Sequence, residues 1–256
     1  MTRKSNRGRN ISKFNNAEDA EVSEYSNYTK NTPNILPKKN FTLNNLKRIT
    51  PLTKNQHIAF DEWDAGYNLV LEGWPGVGKS FLAMFLALKT ILDPGTTQTK
   101  IVIVRSATQT RDIGFLKGSE EEKNLVYESP YMQICDQLFP WKNSYDNMKK
   151  LGIIEFKNTS FLRGTSWNDA VIIFDEYPNG IESELETVIT RVGNNSRLIV
   201  AGDTLHQNDI GNKSGGGVII RVLRRMESVA VIDFDIDDVV RSGFVKEFLI
   251  SKYGIL

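Results

Sequence analysis

The eight residues Gly73-Trp74-Pro75-Gly76-Val77-Gly78-Lys79-Ser80 constrain this chain more than any other stretch. They stand between a short apolar run, Asn68 to Leu71, and a long amphipathic one over 79 to 92, and they match G-x-x-x-x-G-K-[ST] at every fixed position. Three glycines let the backbone curl until its N–H groups share one centre, and a helix starting at Lys79 adds the positive end of its dipole. That nest suits a highly charged anion. All eight residues are candidate contacts to ATP, with Lys79 reaching the β- and γ-phosphates and the Ser80 hydroxyl ligating Mg²⁺.

The remainder of the body, from Thr53 onward, alternates short apolar runs with longer amphipathic stretches. Strands are expected at Asn68 to Leu71, Lys100 to Val104, Ala170 to Phe174, Arg197 to Ala201 and Ser228 to Asp233. Helices are expected over 54 to 65, 79 to 92, 121 to 139, 182 to 192, 216 to 226 and 242 to 252. The implied fold is α/β, a doubly wound, mainly parallel sheet with helices on both faces and ligands at the carboxyl edge.

Two further strand ends belong at that edge. Val171-Ile172-Ile173-Phe174 runs into Asp175-Glu176, a Walker B pattern in which Asp175 holds Mg²⁺ and Glu176 polarises the attacking water. Leu198 to Ala201 runs into Gly202-Asp203-Thr204-Leu205-His206-Gln207, polar groups able to sense a γ-phosphate. Upstream, the amide of Gln56 offers the paired donor and acceptor that would read adenine.

Composition removes several alternatives. No apolar run approaches the roughly 18 residues of a membrane span and the start of the chain is polar, so a cytoplasmic protein is expected. One cysteine, Cys135, excludes an internal disulfide, and two histidines far apart, His57 and His206, argue against zinc chemistry. Residues 1 to 48 hold 10 Lys/Arg against 4 Asp/Glu, whereas 49 to 256 hold 22 against 27. A basic tail over 1 to 48, disordered over about 1 to 40, is therefore expected ahead of an ATPase domain over 49 to 256. The acids of Asp233 to Asp238 lack the glycine and glutamate of a calcium loop and read instead as a strand end and helix start, with Asp237 or Asp238 as cap.

Taken in order, these residues resemble the PhoH-like family of ATPases, whose core is similar to the first RecA-like domain of superfamily-one helicases. The resemblance runs from about 50 to 252. It is carried by Asn55-Gln56, the phosphate loop, Gly114-Phe115-Leu116-Lys117-Gly118, Arg163-Gly164-Thr165 with Asn168-Asp169-Ala170, Asp175-Glu176, Thr190-Arg191-Val192-Gly193 with Ser196, Gly202-Asp203 and Asp238-Val239-Val240-Arg241. Many members of the family are carried by bacteriophages, which would put this chain in a host cytoplasm. Two departures stand out. Tyr177-Pro178 occupies the place of Ala-Gln after the acidic pair, and one extra residue after Asp203 leaves His206 or Gln207 as the phosphate sensor, Gln207 being favoured by the Asn208-Asp209 that follows.

The resemblance further implies a homo-oligomeric ring in which an arginine of one subunit completes its neighbour's site, Arg241 first and Arg191 second. It implies single-stranded nucleic acid, RNA ahead of DNA, along the segment holding Arg105, Arg111 and Lys117, with Arg163 a further contact. Motifs and resemblance together imply a Mg²⁺-dependent ATPase coupled to single strands, the alternative being an ATP-driven ring-assembly or switch module acting on a protein partner. Unwinding would need a second RecA-like domain of about 150 residues, for which this chain has no room.

Overall fold

The computed structural model describes residues 41–106, 120–159, 162, 164, 166–206 and 209–254, apart from the side chains of 120–123. The expected disorder of about 1–40 lies outside these residues. In chain order the elements are α1 (Lys54–Asp64), β1 (Asn68–Gly73), α2 (Lys79–Ile91), β2 (Lys100–Arg105), α3 (Glu120–Leu138), α4 (Ser144–Lys150), β3 (Ile154–Asn158), β4 (Ala170–Asp175), α5 (Glu182–Ile189), β5 (Arg197–Gly202), α6 (Gly216–Leu223), β6 (Val229–Phe234) and α7 (Gly243–Tyr253).

Six strands form one sheet in the order β3-β2-β4-β5-β1-β6, with every pair parallel. The interior strands are apolar at their centres because both faces are covered, as parallel sheets require. Leu69, Leu71, Ile101, Ile103, Val171 and Ile173 face one core, which takes in Trp63 of α1, most of α2, Tyr131 and Leu138 of α3, Met148 of α4 and Leu249 of α7. Val70, Val102, Ile172, Phe174 and Val200 face the other, closed by Leu185 and Val188 of α5 and by Ile219 and Leu223 of α6.

Two elements exceed the sequence expectation of five strands and six helices. β3 pairs with β2 at the sheet edge, and α4 docks on α3 through a buried Glu128 that accepts from Tyr145 Oη at 2.7 Å and Lys149 Nζ at 2.7 Å. The packed body also begins ahead of the expected boundary at 49. Phe41 and Leu46 are buried in the first core, Phe41 meeting Phe139 edge-on at 5.4 Å, and Lys47 N donates to the Leu138 carbonyl. The turn after β6 is capped by Asp235, whose side chain accepts from Asp237 N; Asp238 reaches back to Asp235 N, so neither Asp237 nor Asp238 is the cap.

Candidate functional site

β1 ends at the carboxyl edge on Gly73, where a side chain would run into the Phe234 carbonyl of β6. Gly73, Gly76 and Gly78 take φ of 120°, 84° and 89°, left-handed values that only glycine adopts at little cost. At Gly76 there is also no room, since a Cβ would stand 2.8 Å from Cγ of Arg241. Val240 N donates to the Gly76 carbonyl at 3.2 Å, so the segment after β6 is laid along the loop of its own chain. On the other flank Gln56 is buried, its Nε2 donating to the Val77 carbonyl at 3.0 Å and its Oε1 accepting from Leu52 N at 2.8 Å. These two bonds tether the loop to α1 and use one donor and one acceptor position of an amide that has two of each.

Lys79 turns back across the loop, Nζ donating to the carbonyls of Gly73 at 2.5 Å and Trp74 at 2.8 Å. Burial lowers its pKa, opposed by the charges of Asp203, Glu176, Asp175 and Glu72. Ser80 follows it, half-buried in the first turn of α2. Asp175 ends β4 almost fully buried, with Oδ2 accepting from the Tyr131 hydroxyl at 2.8 Å and Oδ1 from Glu176 N at 3.1 Å. Glu176 itself sits at φ 53°, and burial, followed by the charge of Asp175, pushes its carboxyl above the ordinary range. A non-glycine residue strained at a strand end beside a second carboxylate marks a site built for chemistry.

Arg105 ends β2 opposite Asp175. Its Nη1 donates to the Tyr127 carbonyl at 3.4 Å, and its guanidinium lies 5.9 Å from the Tyr127 ring. Burial works against its charge, but Tyr131, Asp175 and Glu176 outweigh it and hold the pKa above its usual value. Arg105, expected along a nucleic-acid track, thus stands at the carboxyl edge within reach of the charges of Asp175 and Glu176.

β5 lies between β4 and β1 and delivers Asp203, which is fully buried. Its Oδ1 accepts from Leu205 N at 3.1 Å and His206 N at 2.9 Å, and both oxygens meet His206 Nδ1. Held so, the His206 ring lies over Trp74 of the phosphate loop, centroids 4.0 Å apart, and both rings meet Tyr253 of α7. Glu72, one residue before the loop, accepts from the Tyr177 hydroxyl and from Thr204 N at 2.9 Å and Oγ1. Tyr131 and Glu72 escaped the reading of the sequence. Glu72 had left a signal, an acid in an otherwise apolar strand, whereas nothing near Tyr131 marked it.

Lys79, Asp175, Glu176 and Asp203 are therefore brought together, with Arg241 against the loop. Arg191 is not. It follows α5 at the amino edge of the sheet, its Nε donating to the Leu162 carbonyl at 2.5 Å. Gln207, Arg111, Lys117 and Arg163 lie outside the described residues. Among the described residues no group of three or more His, Cys, Asp or Glu is placed to hold a metal alone. Ser80 and Asp175 are hard oxygen donors of the kind Mg²⁺ shares with phosphates and water, and the crowded negative charge at Asp175 and Glu176 fits a divalent cation.

The profile of the family described as PhoH-like protein matches residues 48–252. A PhoH-like protein of Mycobacterium leprae is 30% identical over 207 residues, covering 79% of this chain and 58% of its own length. One from Bacillus subtilis is 29% identical over 180 residues, covering 69% and 55%. The chain thus spans a little under three fifths of these relatives. Among solved structures, the large terminase of bacteriophage HK97 superposes with a TM-score of 0.48 at 14% identity, over 82% of this chain and 48% of that one. No helix among the described residues is long and apolar enough to cross a membrane.

Proposed function

This chain belongs to the PhoH-like family, and from that premise we propose that it is a Mg²⁺-dependent ATPase whose hydrolysis is coupled to single-stranded nucleic acid, RNA ahead of DNA. The observation that carries the reading is the convergence of Lys79 with Asp175, Glu176 and Asp203 at the mouth of the glycine loop. On binding, Lys79 exchanges the carbonyls of Gly73 and Trp74 for the β- and γ-phosphates, and the loop N–H groups take the remaining oxygens. Ser80 and Asp175 would hold Mg²⁺, which supplies charge neutralisation across the β- and γ-phosphates. Glu176 accepts the proton of the water that attacks the γ-phosphorus as the bond to the ADP oxygen breaks. Its raised pKa makes it a better proton acceptor than an ordinary carboxylate.

In this reading the residue after Asp203 that meets the γ-phosphate is His206 or Gln207. His206 is the one whose place is described, and Asp203 fixes it against the loop. Arg241 supplies a guanidinium from the same chain, since its stem already lies on Gly76. Arg111, Lys117 and Arg163 keep their proposed place along the nucleic acid. A homo-oligomeric ring rests on the resemblance alone, and a monomeric particle with full activity would favour Arg241 in cis and remove the ring. The alternative of a switch acting on a protein partner draws on Phe244 and Phe248 of α7, 78% and 56% exposed just beyond Arg241.

The test is phosphate release from ATP and Mg²⁺ by the full chain, with and without single-stranded RNA or DNA, beside Lys79→Ala. Hydrolysis that rises with single strands and vanishes in the variant is expected. Hydrolysis indifferent to both nucleic acids would turn the reading to the protein-partner switch, and no hydrolysis would remove the ATPase.

A further inference from the structure

Glu72 breaks the pattern of its strand. Val70 and Glu72 face the same side of the sheet, Val70 into a fully apolar core, yet Glu72 is only 7% exposed where a hydrophobic side chain would be expected. A carboxylate in such a place costs stability unless donors surround it. Here three do: the Tyr177 hydroxyl, Thr204 N and Thr204 Oγ1. Each comes from a residue directly beyond one given to the chemistry, Tyr177 after Glu176 and Thr204 after Asp203, while Glu72 directly precedes Gly73.

Tyr177 and Glu72 are two strands apart, because β5 runs between β4 and β1. The ring crosses that gap over Gly202, where a Cβ would meet Pro178 Cδ at 2.5 Å, Tyr177 Cδ1 at 2.6 Å and Cε1 at 2.7 Å. A side chain at 202 would therefore displace the ring. Pro178 stiffens the turn that carries it, and the turn is tied down again by Ser214 Oγ on the Pro178 carbonyl at 2.5 Å and by Asp209 N on Asn179 Oδ1 at 2.9 Å. Three strand ends that hold the loop, the acidic pair and Asp203 are thus joined through one carboxylate.

We propose that Glu72, Tyr177 and Thr204 form a positioning strut that fixes Glu176 and the turn after Asp203 against the phosphate loop. The proposal rests on the ATPase reading above and assigns to the Tyr-Pro pair, where the family carries Ala-Gln, a rigid connection in place of a polar relay. None of the three touches the reacting atoms; they act through Glu176 and the Asp203 turn. Misplacing a catalytic group by about 1 Å can cost on the order of 100-fold in rate, so loss of the strut is expected in turnover and not in ground-state affinity.

The experiment measures kcat and KM for ATP, nucleotide affinity and the melting temperature of the full-length protein and of Tyr177→Phe, which keeps the ring over Gly202 and loses only the hydroxyl. Expected is a fall in kcat of about tenfold or more, with KM and affinity within about twofold and melting well above the assay temperature. Glu72→Gln, whose Oε1 still accepts from Thr204 while its Nε2 can donate to the Tyr177 hydroxyl oxygen, should recover more turnover than Glu72→Ala. Unchanged kcat in Tyr177→Phe overturns the strut while leaving the ATPase intact, and parallel losses of affinity and melting temperature reduce it to a packing contact. A wild-type protein that does not hydrolyse ATP removes the ATPase reading and the strut's role with it. Should Tyr177→Phe fail to fold, Thr204→Val carries the test on the same criteria.

Discussion

At the amino edge of the sheet, Ser196 Oγ donates to the Trp167 carbonyl at 2.8 Å and accepts from Ala170 N at 3.1 Å, Asn168 Oδ1 accepts from Asn194 N at 2.8 Å, and Asn195 Nδ2 donates to Asp169 at 2.8 Å. At the carboxyl edge, an ammonium rests on two carbonyls, Glu176 is held above its ordinary pKa, and Asp175, Glu176 and Asp203 crowd around Lys79. Both edges carry stretches that resemble the family, Asn168-Asp169-Ala170 and Thr190 to Ser196 at one and the glycine loop with Asp175-Glu176 at the other. The first edge spends its polar groups on itself and closes the fold. The second gathers Asp175, Glu176 and Asp203 around Lys79 and raises the Glu176 carboxyl above its ordinary pKa, the condition of a surface awaiting a ligand. A family motif is therefore structural or chemical according to where its hydrogen bonds go.

The sharpest way to break this contrast is Lys79→Ala. Nucleotide affinity should fall at least about 100-fold by titration with a fluorescent ATP analogue, since Lys79 is the one cation among the eight residues of the loop. Next is Glu176→Gln, expected to keep affinity within about threefold and to lose turnover by on the order of 100-fold or more. Its stability should move the other way. Because the folded carboxyl holds its proton more tightly than an unfolded one of pKa 4.5, ionising it costs stability as pH rises through the folded value. That cost is absent below 4.5 and full above the raised pKa. Without nucleotide, Glu176→Gln should therefore melt above wild type at pH 8, with the gap closing toward pH 4. Equal melting at both pH values would mean that the carboxyl edge stores no such charge.

The glycine loop and the acidic pair were legible because their chemistry is local: each needs consecutive residues, and strand, loop and helix follow in one order. The groups that orient them were not. Tyr131 reaches Asp175 across 44 residues and Tyr177 reaches Glu72 across 105, and no period or spacing encodes a hydrogen bond made by tertiary packing. β3 escaped for a related reason, since only Ile154 and Phe156 of its five residues are buried and its partner is the neighbouring β2. α4 is seven residues long, below the length at which a helix holds itself, and depends on Tyr145 and Lys149 reaching Glu128. Gln56 was legible in position, but the bonds by which it pins the loop were not, because an amide able to read adenine is equally able to hold two backbone groups.

At the amino edge the expected effects are smaller and fall on stability alone. In Gly193→Ala the new Cβ would stand 2.6 Å from the Trp167 carbonyl oxygen and closer still to Asn168 Oδ1. Gly193 N also donates to that carbonyl at 2.9 Å, so the two backbones cannot part without losing the bond. Overpacking of this kind costs about 2 kcal/mol, seen as a lowered urea midpoint at unchanged slope. Nucleotide affinity and turnover of the folded fraction should match wild type. A kinetic defect would mean that the two edges are coupled through β4 and β5.

Ser196→Ala is the smallest change and the most discriminating. Ser196, at the entry of β5, stitches it to the entry of β4 by donating its hydroxyl to the Trp167 carbonyl and accepting from Ala170 N, and its removal leaves Ala170 N without that acceptor while the Trp167 carbonyl keeps Gly193 N. The net loss for such a pair is about 1 kcal/mol, a fall in melting temperature of about 2 to 4 °C for a chain of this size. The contrast between the edges requires that this fall be the same with and without saturating nucleotide. If bound nucleotide instead widens the difference, the amino edge shares in holding the Asp175 and Asp203 strand ends at the proper height, and the division between a closing edge and a reactive edge gives way to a single mechanical sheet.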